Sequence, residues 1–219
     1  MADIPVQIVL RPYASSIPLA AFAFGVGNAL YSAYLLQWIP ASESALLAII
    51  LLAFVAPLEL VPSIMAFVTR DGGGATSYAI FGAVWIVQGL GLWMHAPPQS
   101  RTTGIFLLCL ALCLCLLAAV TLRGKPLLGV VLVVAVVRTC GAAAIALHAS
   151  PLLSTLTGYV GLLLAALAFY SGFAFLEEDI TGSLSALTFR TGEAKAAMEG
   201  SLEDQMELLE REAGVRKQL

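Results

Sequence analysis

Charge is scarce in this chain. Asp, Glu, Lys and Arg make up only 11% of 219 residues, and there are 2 His and 4 Cys. No basic cluster is present of the kind that grips nucleic acid, and the net charge of −3 points to no particular partner. All four cysteines, Cys109, Cys113, Cys115 and Cys140, fall inside apolar runs. Neither a disulfide framework nor a metal site is expected of them there, and they read as small apolar packing residues. The two histidines, His95 and His148, fall at the ends of apolar runs as ordinary interfacial residues. No His/Cys cluster and no nucleophile–base arrangement stands out, so neither an enzyme nor a cofactor is expected. Residues 1–12 carry Asp3 and Arg11 around a short apolar stretch, unlike a cleavable signal.

Hydrophobic residues are what the chain has in excess. They make up 60% of the sequence, and the mean hydropathy is +0.93. Apolar runs of roughly 20 residues recur, each long enough to cross a hydrocarbon core about 30 Å thick. Six are read: Ile17–Leu36, Ala45–Val68, Tyr78–Met94, Thr103–Leu122, Leu127–Leu147 and Ser154–Leu176. Barrel strands are shorter and alternate in polarity. The expected fold is therefore an all-α integral membrane protein with six transmembrane helices.

Orientation follows from Lys and Arg placement. Six spans put both termini on one side, together with Arg11, Arg70, Arg123, Lys125, Arg190, Lys195, Arg211, Arg216 and Lys217; the other side holds Arg101. Both termini are expected in the cytoplasm, and the chain in a plasma (inner) membrane. Residues 1–16 then form a cytoplasmic segment, 17–176 the membrane domain and 177–219 a cytoplasmic tail. Ser201-Leu202-Glu203-Asp204 reads as a capping box. Met198, Leu202, Met206, Leu209 and Ala213 recur at helical spacing, which predicts a short amphipathic helix whose apolar face could pack on the cytoplasmic face, bind a protein partner or associate with copies of itself.

Three local features stand out. Pro57 and Pro62 predict a kink or opening in the second span, because proline lacks the helix N–H and crowds the preceding turn. Gly72-Gly73-Gly74 reads as a tight turn, without the Lys and Ser/Thr of a phosphate loop. Glu59 and Arg138 lie mid-span, where one such charge costs about 2.5–3.5 kcal/mol, so they read as an ion pair, a polar pathway or both.

Several motifs resemble the acetate uptake transporter family, which are six-helix acetate/succinate permeases. Ser15-Ser16-Ile17-Pro18-Leu19 is similar to the family's Asn-Pro-Ala-Pro-Leu pore entry, with Ser15, Pro18 and Leu19 at matching positions. The run Gly74-Ala75-Thr76-Ser77-Tyr78-Ala79-Ile80-Phe81-Gly82-Ala83-Val84-Trp85 looks like Gly-x-Thr-Ala-Phe-x-Ser-Tyr-Gly-x-Phe-Trp. Thr121-Leu122-Arg123-Gly124 resembles Thr-Leu-Lys-Gly, and Gly158-Tyr159-Val160-Gly161 resembles part of the last helix. The likeness covers residues 15–178. It implies a homohexamer with one pore per protomer, a channel or proton-coupled carrier for small monocarboxylates, and a narrow ring at Phe24, Phe81 and Ala135. The chain departs from the pattern: Ser15-Ser16 stands for Asn-Pro, Asp71-Gly72 for Asn-Thr, and Phe for Tyr in the narrow ring; Glu59 replaces a neutral Gln, Ala135 replaces a larger aliphatic residue, and Arg138 has no counterpart.

These readings combine into a mechanism. Ala135 and Arg138 are three residues apart and share a helix face. The guanidinium would bind a carboxylate, and Glu59 would hold Arg138 between solutes and take up a proton when displaced, since burial favours a neutral carboxyl. The plainer reading is a salt bridge that locks two helices. Two other functions stay open at this point. One is a channel for neutral solutes of the urea/amide kind, indifferent to Arg138. The other is a non-transporting subunit docked through Met198–Ala213.

Overall fold

The computed structural model describes residues 14–69, 71–183, 185–191 and 195. Among them are 6 helices long and apolar enough to cross a membrane: α1 (Ile17–Leu35), α2 (Ala41–Val68), α3 (Gly72–Trp93), α4 (Arg101–Thr121), α5 (Pro126–Leu147) and α6 (Pro151–Thr181). The expected all-α membrane architecture is what these residues form. The predicted tail helix, with Met198, Leu202, Met206 and Leu209, lies outside the described residues, as does Arg70.

The helices adjoin one another in chain order and α6 returns to α1, so they close a ring. The long contacts are α1 with α6, α4 with α5 and α2 with α3, whereas α3 and α4 meet along a sparse seam. Glycines set the close approaches. A Cβ on Gly82 of α3 would lie 2.8 Å from the Leu60 side chain of α2, and one on Gly27 of α1 would lie 2.8 Å from the Trp85 ring. In a bilayer, where apolar tails solvate apolar side chains, such close packing is a main source of helix association.

The outward surface is apolar. Leu112, Leu116 and Val120 of α4 are more than 60% exposed. The cysteines belong to this surface. All four are free and exposed on the single chain, within the spans as expected. Leu107, Leu110, Ala111, Leu114 and Ala118 take the inward stripe of α4 at three- and four-residue spacing, turning Cys109, Cys113 and Cys115 outward.

α2 opens where the prolines predict, but it does not break. It is α-helical over Ser44–Ile50, makes a π-turn over Leu51–Val55, and is α-helical again over Ala56–Val68 with Pro62 inside. The Ala56 N–H reaches the Leu51 carbonyl, five residues back. The widened turn sits directly before Pro57, where an ordinary α-turn would set the pyrrolidine ring against a carbonyl.

The glycine run is a correction. Gly72-Gly73-Gly74 is the first turn of α3, so the third span starts six residues before the expected Tyr78. Asp71 makes this start. Its Oδ1 accepts from the Gly74 N–H at 3.1 Å, satisfying one of the helix's orphan donors. A side chain at Gly74 would crowd that cap, because its Cβ would fall 2.7 Å from Asp71 Oδ2.

The last helix also runs longer than expected, to Thr181, and ends on Gly182 at φ 62°. The Glu177-Glu178-Asp179 run lies within it instead of ending it. Two contacts hold these acids: Arg190 Nε lies 2.6 Å from Glu178 Oε1, and the Ser15 N–H donates to Asp179 Oδ1 at 3.2 Å.

Candidate functional site

Two cavities lie within the ring. The larger holds about 260 Å³ and is walled by all six helices, with Glu59 from α2 among its lining residues. Its lining begins at Asp71, Gly124 and Lys125, at the end of the bundle where α1 starts and α6 stops, and runs inward to Phe24 and Phe81. The smaller holds about 20 Å³ and is lined by Asn28, Trp85, Gln88, Ala135, Arg138 and Thr139, together with the same two phenylalanines. Phe24 and Phe81 thus stand between the cavities, their ring centroids 4.3 Å apart. Trp85 meets Phe24 edge-on at 6.2 Å.

The mouth of the larger cavity carries one ion pair. Lys125 Nζ donates to Asp71 Oδ2 at 2.6 Å. Burial alone would push the Asp71 carboxyl up. The Lys125 charge and hydrogen bond, with the Gly74 N–H and the more distant Arg190 charge, outweigh it and hold the group below the usual carboxylate range. One contact therefore joins the α4–α5 loop to the start of α3 and leaves the mouth nearly neutral.

Glu59 is fully buried, and neither carboxylate oxygen has a hydrogen-bond partner. The Tyr78 hydroxyl, on the wall of the same cavity, is likewise buried and unpartnered. Nearby hydroxyls are spent elsewhere: Ser77 Oγ donates to the Gly73 carbonyl and Ser171 Oγ to the Leu167 carbonyl, at 2.8 and 2.7 Å. A carboxyl with no local donor in an apolar chamber is costly to keep charged.

Arg138 lies beyond the phenylalanines, and no ion pair joins it to Glu59 among the described residues. Of the readings offered by the sequence, the ion pair is not formed, and Glu59 and Arg138 line different cavities. The guanidinium stacks instead between two aromatic rings, 5.4 Å from the Tyr31 centroid and 6.0 Å from that of Trp85. Cation–π contact offsets part of its desolvation but supplies no hydrogen-bond acceptor. The Tyr31 hydroxyl donates to Gln88 Oε1 at 3.0 Å, which holds the first ring in place. Arg138 Nε, Trp85 Nε1 and Asn28 Oδ1 are all buried without partners, while Asn28 Nδ2 donates to the Phe24 carbonyl at 2.8 Å. Ala135 and Arg138 line the same cavity, as their spacing predicts, and the Thr139 hydroxyl is turned back to the Ala135 carbonyl at 2.7 Å.

The entry motif is less central. Ser15 binds Asp179, Leu19 is 42% exposed on the outer surface, and Pro18 is buried; the cavity wall at this level is Ile17, Ala20 and Ala21. Sequence reasoning passed over Tyr31, Trp85, Asn28 and Tyr78. Tyr78 and Trp85 fall in the family-like run from Gly74 to Trp85 without a role of their own, and the signal for Asn28 and Tyr31 is polar or aromatic character inside an apolar span.

By sequence, neither a family model nor a curated protein matches the chain. By structure it is similar to the bacterial acetate channel SatP, with a TM-score of 0.72 and 17% identity over 78% of this chain and 96% of that one. The two chains share a fold.

Proposed function

We propose that the protein is a membrane conduit for small monocarboxylates such as acetate, and a divergent member of the acetate uptake transporter family. The observation that carries this reading is Arg138: a guanidinium with no carboxylate partner among the described residues, facing a cavity in line with an aromatic constriction and a wider vestibule. The likeness in fold to an acetate channel supports it.

In this reading, solute enters at the Asp71–Lys125 mouth and crosses the vestibule past Glu59. It passes Phe24 and Phe81 when the two touching rings part, and pairs with Arg138, where the Trp85 N–H provides a further donor. Charge-assisted hydrogen bonds reward a carboxylate there over a neutral amide. Glu59 accompanies the anion by carrying a proton, which removes the like-charge repulsion an acetate would otherwise meet. Ser15, Pro18 and Leu19 stabilise the entry: Ser15 through Asp179, Pro18 by packing inside the bundle and Leu19 on the outer face of α1. The Lys and Arg distribution supports cytoplasmic termini in a plasma (inner) membrane, and the apolar outward faces suit a homohexamer in the bilayer. In the tail, the helically spaced Met198, Leu202, Met206 and Leu209 are a candidate surface for a cytoplasmic partner.

Uptake of labelled acetate into proteoliposomes under an imposed pH gradient tests the reading. Native protein should carry acetate faster than urea, Arg138→Gln should lose that flux while remaining folded, and Glu59→Gln should lose its dependence on the pH gradient. No acetate uptake by native protein, or urea uptake that ignores Arg138→Gln, would overturn it.

A further inference from the structure

Beyond Gly182 the chain turns back and lies along the end of the bundle where the vestibule opens. Ser185 and Thr188 are buried there, and the Tyr170 hydroxyl donates to the Leu187 carbonyl at 3.3 Å. Phe189 takes left-handed backbone at φ 51°, uncommon for a residue with a side chain, and so redirects the chain. Arg190 anchors it. Its Nε lies 2.6 Å from Glu178 Oε1, and its guanidinium sits over the Phe175 ring, 5.3 Å from the centroid. Thr191 then reaches the rim: its N–H donates to the Gly124 carbonyl and its hydroxyl to the Arg123 carbonyl, both at 3.2 Å. Gly124 lines the vestibule, and the Arg190 charge acts on Asp71, another lining residue. This strap delivers the chain to the vestibule mouth with residues 192–219 still to follow.

We propose that the tail is an autoinhibitory lid, whose apolar face of Met198, Leu202, Met206 and Leu209 docks in the vestibule mouth of its own protomer. This rests on the proposed conduit, whose entrance the lid closes. Reach, apolarity and charge name the occupant. Residues 192–197 separate Thr191 from Met198, and six residues span up to about 20 Å, ample to return to a rim that Thr191 already touches. Near the mouth the wall is apolar, with Ile17, Ala20, Ala21 and Leu128, and the polar pair Asp71–Lys125 is satisfied within itself. An apolar helix face gains there by leaving water. Glu203, Asp204, Glu207 and Glu210 take the other side of the helical pattern, while Arg123 on the rim is exposed and makes no ion pair among the described residues. An acidic outer face also repels an approaching carboxylate. Tethered this closely, the tail has an effective concentration on the order of 1 mM, so even a weak contact keeps most mouths closed.

The test compares the full chain with one that stops after Thr191, which keeps the strap and loses the lid. Both are first checked for monodispersity and helix content. Labelled acetate flux into proteoliposomes should rise several-fold in the shortened chain, and equally in the full chain carrying Leu202→Asp with Leu209→Asp. A synthetic peptide of residues 192–219, present on both faces of the bilayer at about 1 mM, should return the shortened chain to the native rate. The same peptide with both Asp substitutions should not, and Arg123→Glu should weaken the native peptide's effect. Unchanged or lower flux in the folded shortened chain overturns the lid, as does inhibition that survives the Asp substitutions. Fluorescence anisotropy of the labelled peptide in detergent gives a readout that needs no flux. The peptide should bind the shortened chain and bind the full chain weakly, because the chain's own tail holds the site. Equal binding to both, or binding to neither, overturns the lid. If neither chain carries acetate, the monocarboxylate reading fails and the lid stands or falls on this binding alone.

Discussion

The rings of Phe24 and Phe81 lie 4.3 Å apart and divide the interior of the bundle into a wide vestibule holding Glu59 and a narrow pocket holding Arg138. That division turns two mid-membrane charges from a helix-locking pair into two separate stations. A helix-locking pair would bring both charges into one cavity with their polar atoms in contact, and neither condition holds. Function then depends on what passes between the rings, which makes them the first target for mutation.

Replacing Phe81 with Leu should enlarge the passage without emptying it. Acetate flux should rise, and the preference for acetate over the bulkier butyrate should narrow several-fold. Phe81 also packs in the main apolar core, so the variant should lose stability by about 1–3 kcal/mol, read as a lower melting temperature in detergent. Unchanged size selectivity would mean that the rings are core residues only.

Arg138→Lys separates charge from shape. Lysine keeps the positive charge, but it loses the planar fork and the stacking between Tyr31 and Trp85. Acetate affinity should weaken by about tenfold, the effect of losing roughly 1.4 kcal/mol. Retention of native affinity would show that a point charge suffices and that the two rings do not shape the site.

Gly161 holds the back of this site open. A Cβ there would run into Ser32 Oγ and lie 3.0 Å from Arg138 Nε. Gly161→Ala should therefore shift the guanidinium or part α1 from α6, lowering acetate flux together with stability by about 1–3 kcal/mol. Gly91 is a control, since a Cβ there meets nothing within 4 Å. Gly91→Ala should leave flux and melting temperature unchanged, and a comparable loss in both variants would deny Gly161 a special role.

Much of the fold could be read from the chain because lipid imposes a length. Runs such as Leu127–Leu147 had to be helical, and α5 ends on that residue. Element ends were harder to read where a local contact decided them. The glycine triplet reads as a turn until the Asp71 side chain caps it, and the acids after Leu176 read as a helix end until Arg190 and Ser15 come into reach. In the site, Ala135 and Arg138 were visible as neighbours because they sit on one helix. That Phe24 and Phe81 separate Glu59 from Arg138 was not visible, because the separation depends on how α1, α2, α3 and α5 are arranged around a common axis. The Tyr31–Arg138–Trp85 stack brings together three helices and leaves no periodic trace in any of them.

The mouth of the vestibule makes a prediction about pH. Asp71 is held below the usual carboxylate range chiefly because the Lys125 charge and the hydrogen bonds outweigh burial. A depressed folded-state value means that the unfolded chain binds the proton more readily than the folded one as pH falls. The stabilisation from this carboxylate is therefore fully present above the unfolded value near pH 3.9, and it is lost as pH drops through the lower folded value. Two variants separate the pair from the cap. Asp71→Asn keeps a capping oxygen for Gly74 but loses the charge, so its deficit should be present at neutral pH and vanish in acid. Asp71→Ala loses both and should cost about 1 kcal/mol more at every pH where the helix is folded. Thermal unfolding in detergent between pH 7 and pH 3 reads both effects. If the Asn deficit persisted undiminished into acid, the Lys125 contact would not be what stabilises this end of α3.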